Sequence, residues 1–190
     1  MTFNETPIKG LFEIELEKRE DERGFFARIF CVEQFEKHGL EGKIVQINNS
    51  LTKQKFTLRG MHYQLPPKSE IRVVRCIKGA VFDMSLDLRP NSPTFGKSYG
   101  TTLTSENRKM MYIPKGFAHG FMTLEDDTEF IYFVSEFYSP ESERVIRWND
   151  PKFDMKWPQN PLSVSNKDAE QKDFDPQYHL VGMDTLADRL

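Results

Sequence analysis

The chain reads as an antiparallel all-β sandwich or barrel with a few short helices, on three grounds. Short apolar runs are punctuated by turn signals at 22–24 (ERG), 41–43 (EGK), 78–80 (KGA), 89–93 (RPNSP) and 113–120 (IPKGFAHG). The stretch 81–89 (VFDMSLDLR) alternates, with Phe82, Met84, Leu86 and Leu88 on one side and Asp83, Ser85, Asp87 and Arg89 on the other. Sixteen Phe and six Tyr in 190 residues exceed what a helical bundle carries and favour sheet.

Along the chain, 23–28 (RGFFAR) brackets two phenylalanines with arginines, and 31–39 (CVEQFEKHG) is the one helical stretch, stopped by Gly39. The run 46–52 (QINNSLT) is polar where strand pattern predicts apolar residues. Next, 58–67 (LRGMHYQLPP) reads as a strand ended by Pro66 and Pro67, yet carries Arg59 and His62. Strict alternation points these two to opposite sides; Gly60 between them suggests a bulge that turns both toward one cavity. Taken alone, a hydrogen-bonded core histidine and a surface arginine fit as well. Residues 70–77 (EIRVVRCI) and 129–137 (EFIYFVSEF) are deeply placed strands with polar side chains entering a cavity. His119 is expected in a Gly-flanked turn, and 184–190 (DTLADRL) as a short exposed helix.

No repeat, low-complexity run or Gly/Ser linker divides the chain, so one domain over 1–190 is expected, with a core of about 5–170 and an extension over 171–190. A net charge of −3 disfavours a general nucleic-acid surface. Cys31 and Cys76 form no disulfide framework and lack metal-ligand spacing. With no apolar export core in MTFNETPIKG and no stretch long enough to span a bilayer, the cytoplasm is the expected location, without membrane partners.

Together the segments place Arg, His, Gln, Asn, Tyr and Asp on strands that would line one interior. In order, DERGFF, Q-x-N-x-S, RGMHYQ-x-PP, VRC-x-x-G, D-x-R-x-x-SPTFG, IPKGFAHGF and RWNDP…WP…S-x-KD resemble the dTDP-4-dehydrorhamnose 3,5-epimerase family, from about residue 5 to 170. The resemblance implies a jelly-roll (cupin-type) barrel, a homodimer, a nucleotide-linked 4-keto-6-deoxyhexose substrate, and no metal or other cofactor. The residues agree on the metal, since RGMHYQ supplies one histidine without an H-x-H partner.

Epimerisation beside a ketone requires a base, stabilisation of an enolate oxygen, and a separate acid on the opposite face. By resemblance His62 is the base, Asp168 its partner and Tyr132 the acid. Arg23 and Arg59 match diphosphate contacts, where a planar multidentate cation fits. Gln46 and Asn48 match contacts to the nucleotide sugar part, while His119, Lys167 and Glu143 match substrate contacts. Tyr138 matches the aromatic that stacks on the base; Phe26 fits core packing better than that wall.

Two positions depart from the family pattern. Arg72 stands where the pattern has a lysine near the keto oxygen; it keeps the charge but does not release its proton at ordinary pH. Arg28 stands where the thymidine-specific pattern has a glutamate accepting from the thymine ring N–H. Arginine only donates, and cytosine presents acceptors at N3 and O2, so CDP becomes the leading alternative to dTDP. The expected activity is therefore a 3- and/or 5-epimerase in deoxysugar or surface-polysaccharide synthesis. A 3,4-ketoisomerase and a non-catalytic sugar-nucleotide binding module are the alternatives.

Overall fold

Residues 1–186 are described by a computed structural model. Strands run β1 (Thr2–Glu5), β2 (Phe12–Glu15), β3 (Arg19–Asp21), β4 (Gly24–Phe26), β5 (Gln46–Thr52), β6 (Thr57–Gln64), β7 (Arg72–Lys78), β8 (Ala80–Asp87), β9 (Ser98–Thr104), β10 (Met110–Ile113), β11 (Phe117–Thr123), β12 (Thr128–Val134), β13 (Glu143–Val145) and β14 (Ser163–Val164). The α-helices are α1 (Val32–Lys37), α2 (Asn166–Ala169) and α3 (Pro176–His179). Sheet I has the order β1-β2-β10-β7-β12-β5 and sheet II the order β13-β6-β11-β8-β9, with β14 parallel to β6. All other pairings are antiparallel, and the two facing sheets form a cupin-type jelly roll.

Apolar residues pack in three layers. Val74, Cys76, Met111, Ile113 and Phe130 of sheet I meet Val81, Leu103, Phe117 and Phe121 of sheet II between the sheets. Outside sheet I, α1 seats Phe35 on Val73, Met110, Tyr112 and Phe133. Outside sheet II, Met61, Tyr63, Met84 and Leu86 lie beneath the chain that follows β13, from Ile146 to Met183. The alternation of β8 thus runs inside out: its apolar side packs outward under the C-terminal segment. Asp83 and Ser85 share the inward side with Val81, and both are buried.

The bulge exists. His119 pairs with His62 and Phe121 with Arg59, so two steps on β11 oppose three on β6. Gly60 takes φ +140°, and a Cβ there would lie 2.4 Å from Gly120 Cα. The strands touch backbone to backbone, and any side chain at Gly60 would force them apart.

One expectation needs correction. His119 is inside strand β11, not in a turn: Pro114–Gly116 completes the turn, with Gly116 at φ +85°, and the backbone is extended from Phe117 onward. At the C-terminal end, Met183–Thr185 is a single 3-10 turn with Met183 buried and Asp184 and Thr185 exposed; the rest of the stretch expected as a short helix, 187–190, lies outside the described residues. Among the described residues no helix is long and apolar enough to cross a membrane.

Candidate active site

The two sheets enclose a cavity of about 670 Å³, within the range of small-molecule sites. β5 explains the odd polarity of 46–52. Gln46, Asn48 and Ser50 line the cavity, while Ile47 and Leu51 between them face outward and are exposed. Inward on an edge strand of this barrel means toward a polar cavity, so the usual pattern is inverted. Tyr132 on β12 lies opposite Asn48 in the ladder and lines the same wall, as does Arg72 on β7.

The facing wall belongs to sheet II and carries Arg59, His62 and His119. His62 Nε2 lies 2.7 Å from Asp168 Oδ1, and the Gly60 N–H donates to Asp168 Oδ2 at 3.3 Å. The bulge therefore does two things: it swings Arg59 inward and frees an amide to hold the carboxylate. Asp168 rides on α2, whose N-cap Ser165 accepts from the Asp168 N–H. Burial pushes the Asp168 carboxyl up, but the hydrogen bond and charge of His62, the Gly60 N–H and Ser165 outweigh it and hold the carboxyl below 3.8. An ionised partner remains buried beside the imidazole.

At the rim, Glu143 Oε2 accepts from Lys167 Nζ at 2.6 Å and from the Tyr138 hydroxyl at 2.9 Å. Burial raises the Glu143 carboxyl, yet these two donors overcome it and keep it below its ordinary range. Tyr138 is 59% exposed, a free ring face at the cavity edge. Arg59 donates through Nε to Thr52 Oγ1 at 3.0 Å, and its terminal nitrogens have no protein partner among the described residues. Deeper in, His119 Nε2 lies 2.7 Å from Asp83 Oδ2, and its ring stacks on Phe130. No three His, Cys, Asp or Glu side chains among the described residues are grouped as metal ligands.

Of the thirteen residues singled out by sequence, eleven are here: His62, Asp168, Tyr132, Gln46, Asn48, Arg59, Arg72, His119, Tyr138, Glu143 and Lys167 all line one cavity. Arg23 and Arg28 do not. Arg23 is exposed on the β3–β4 hairpin and pairs with Asp21 at 2.6 Å; Arg28 is exposed just after β4. That hairpin pairs with neither main sheet, and neither arginine lines this chain's own cavity. Sequence reading missed Glu70, Asp83 and Ser165. The S-x-x-D spacing of Ser165 and Asp168 was a visible capping signal, and Asp83 stood on the alternating stretch, whose inward face was not assigned.

A protein family described as dTDP-4-dehydrorhamnose 3,5-epimerase matches residues 5–176. The chain belongs to this family. A dTDP-4-dehydrorhamnose 3,5-epimerase of Shigella flexneri is 44% identical over 183 residues, covering 95% of this chain and all of that one. The crystal structure of the Elizabethkingia anophelis enzyme of the same name superposes with a TM-score of 0.87 at 40% identity, covering 92% of this chain and 96% of the other. The family's structure from Legionella pneumophila, in complex with dTDP-4-keto-L-rhamnose, gives 0.84 at 40% identity, covering 90% and 92%. The likeness spans both sheets and α2, so the epimerase family membership covers every wall of the cavity.

Proposed function

We propose that this chain is a single-domain, cytoplasmic, metal-independent epimerase. It inverts C3 and C5 of a nucleoside-diphosphate-linked 4-keto-6-deoxyhexose, in making deoxysugars for surface polysaccharide. One observation carries the reading: a histidine on sheet II with its aspartate on α2, and a phenol on sheet I, line a single cavity from facing walls.

The chemistry follows from that placement. The ring nitrogen of His62 turned away from Asp168 takes a proton from a carbon beside the ketone, and the ionised Asp168 stabilises the imidazolium. Charge moves to the keto oxygen, where Arg72 supplies donors, and His119 orients the sugar. The Tyr132 hydroxyl returns a proton to the opposite face of that carbon; the imidazolium then gives its proton to solvent, and solvent reprotonates the phenolate. Inversion follows because base and acid stand on different sheets. Arg59 takes the diphosphate with its uncommitted nitrogens, and the open ring of Tyr138 takes the nucleobase.

A second copy of the chain completes this reading. Phe25 and Phe26 are 43% and 64% exposed on a hairpin that joins neither main sheet, so Phe26 is not the core residue expected of it, and Ile47 and Leu51 lie bare on the outer side of β5. In a homodimer these apolar residues are covered, and the hairpin delivers Arg23 and Arg28 to the partner's cavity.

The test is incubation with candidate nucleotide-4-keto sugars in heavy water, read by NMR. Deuterium at both C3 and C5 of an inverted product is expected. Label at one carbon alone, or a moved ketone, overturns the double epimerase in favour of a monoepimerase or ketoisomerase. Sedimentation of the wild type and of Phe26→Asp tests the dimer: a wild-type monomer overturns it.

A further inference from the structure

The cavity contains a carboxylate that the steps above leave without a task. Glu70 lies in the loop between Pro67 and β7, lines the cavity, and its side chain is only 9% exposed. Its Oε1 accepts from Arg72 Nε at 2.9 Å and from Arg72 Nη2 at 2.6 Å. The Arg72 Nη1 donates in turn to the main-chain carbonyl of His62 at 3.1 Å.

The geometry matters because β7 belongs to sheet I and β6 to sheet II. The guanidinium crosses the gap between the walls and ends on the backbone of the residue assigned as base. Tyr132 stands on β12, paired directly to β7 through Val74. One chain of hydrogen bonds thus joins Glu70, Arg72 and the backbone of His62 beside the wall that carries the phenol.

We propose that Glu70 is a positioning residue acting through Arg72. Its carboxylate clamps the guanidinium as a cross-sheet brace that sets the spacing between the His62 imidazole and the Tyr132 phenol. The inference rests on the base and acid assigned above. A guanidinium is planar with five N–H groups, and three of them are committed here. The remaining two, one on each terminal nitrogen, have directions fixed by those three. Without Glu70, the long side chain regains rotamer freedom and its bond to the His62 carbonyl competes with the substrate oxygen. With it, the orientation is set before the substrate arrives. A lysine at position 72 would need no such clamp, because an ammonium presents its donors in any rotation.

The experiment compares Glu70→Gln, Arg72→Met and the double variant in heavy water, recording kcat, KM, deuterium uptake and inverted product, with thermal midpoints alongside. Glu70→Gln is expected to lower kcat by about ten- to hundredfold, the effect of a displacement on the order of 1 Å, with a smaller change in KM. The ratio of deuterium uptake to inverted product is expected to rise, because proton removal outlasts correct return. The double variant is expected to match Arg72→Met alone, and Glu70→Asp to recover part of the loss. Should Glu70→Gln not fold, Glu70→Asp alone carries the comparison. Wild-type kcat and product ratio in the Glu70 variant overturn the brace, as do losses that multiply in full in the double variant. Unimpaired exchange in His62→Ala overturns the base assignment instead, whatever Glu70 does.

Discussion

Two histidines in this cavity meet aspartates at the same 2.7 Å, His62 against Asp168 and His119 against Asp83. Their surroundings differ. The His62 side chain is 29% exposed and follows a bulge, with its carboxylate brought from 106 residues away on a four-residue helix. His119 is 6% exposed, its register with β8 is regular and its aspartate is on that strand, and Phe130 stacks on its ring. Asp168 is also held by a backbone N–H, whereas Asp83 Oδ1 has no hydrogen-bond partner among the described residues. The difference teaches that a short His–Asp distance is not by itself the mark of a base: in the proposed reaction, greater exposure and independent support of the carboxylate suit His62 to cycle a proton, and the enclosed His119 to orient a ligand.

Substituting the two histidines is the strongest way to break this comparison. His62→Ala is expected to lower deuterium exchange at the sugar carbons by about a thousandfold or more. His119→Ala should retain exchange and raise KM by about tenfold, the loss of one strong hydrogen bond. Equal loss in both would erase the distinction. Next in size is Tyr132→Phe, for which inversion falls by about a hundredfold while exchange from the His62 side continues. Parallel loss of both signals would remove the two-wall picture.

The bulge that sets His62 apart is sharpened by Gly60→Ala, expected to cost about 1–3 kcal/mol in chemical denaturation because a Cβ collides with Gly120. Wild-type stability would show that the strands can separate freely. The pH dependence is smaller. Asp168 and Glu143 are held below their ordinary 3.8 and 4.5, so their stabilisation is complete above those values and is lost as pH falls through the lower folded values. The thermal midpoint should therefore be steady above about pH 5 and fall below about pH 4, and Asp168→Asn should flatten that fall. The smallest effect concerns Arg28: calorimetry should favour CDP over dTDP by a few-fold in the dimer, and Arg28→Glu should reverse the order. A clear wild-type preference for dTDP would sink that reading.

Much of this architecture was legible in the linear chain. Alternation marked β8, the glycine between Arg59 and His62 marked the bulge, and the ordered motifs named the family. The helix at α1 and its stop at Gly39 followed from local pattern. What misled was direction. His119 read as a turn residue because glycines flank it, but Gly116 makes the turn, while Gly120 is required inside the strand where it meets Gly60 and Arg59. The polar face of β8 gave no sign that it points inward, since nothing nearby announces the C-terminal segment that covers the opposite face.

Side-chain period, turn chemistry and residue type are local properties, and from them the sequence determined an all-β chain, its bulge and its set of reactive side chains. Family resemblance paired Asp168 with His62, but the meeting of Asp83 with His119 was decided only by folding, because strand periodicity encodes neither contact. The same holds for Arg23 and Arg28: sequence placed them among the binding residues, and the tertiary structure put them on and just after a hairpin, outside the lining of their own cavity. A short hairpin turns on its own local bonds, but where it comes to rest depends on the surfaces that meet it.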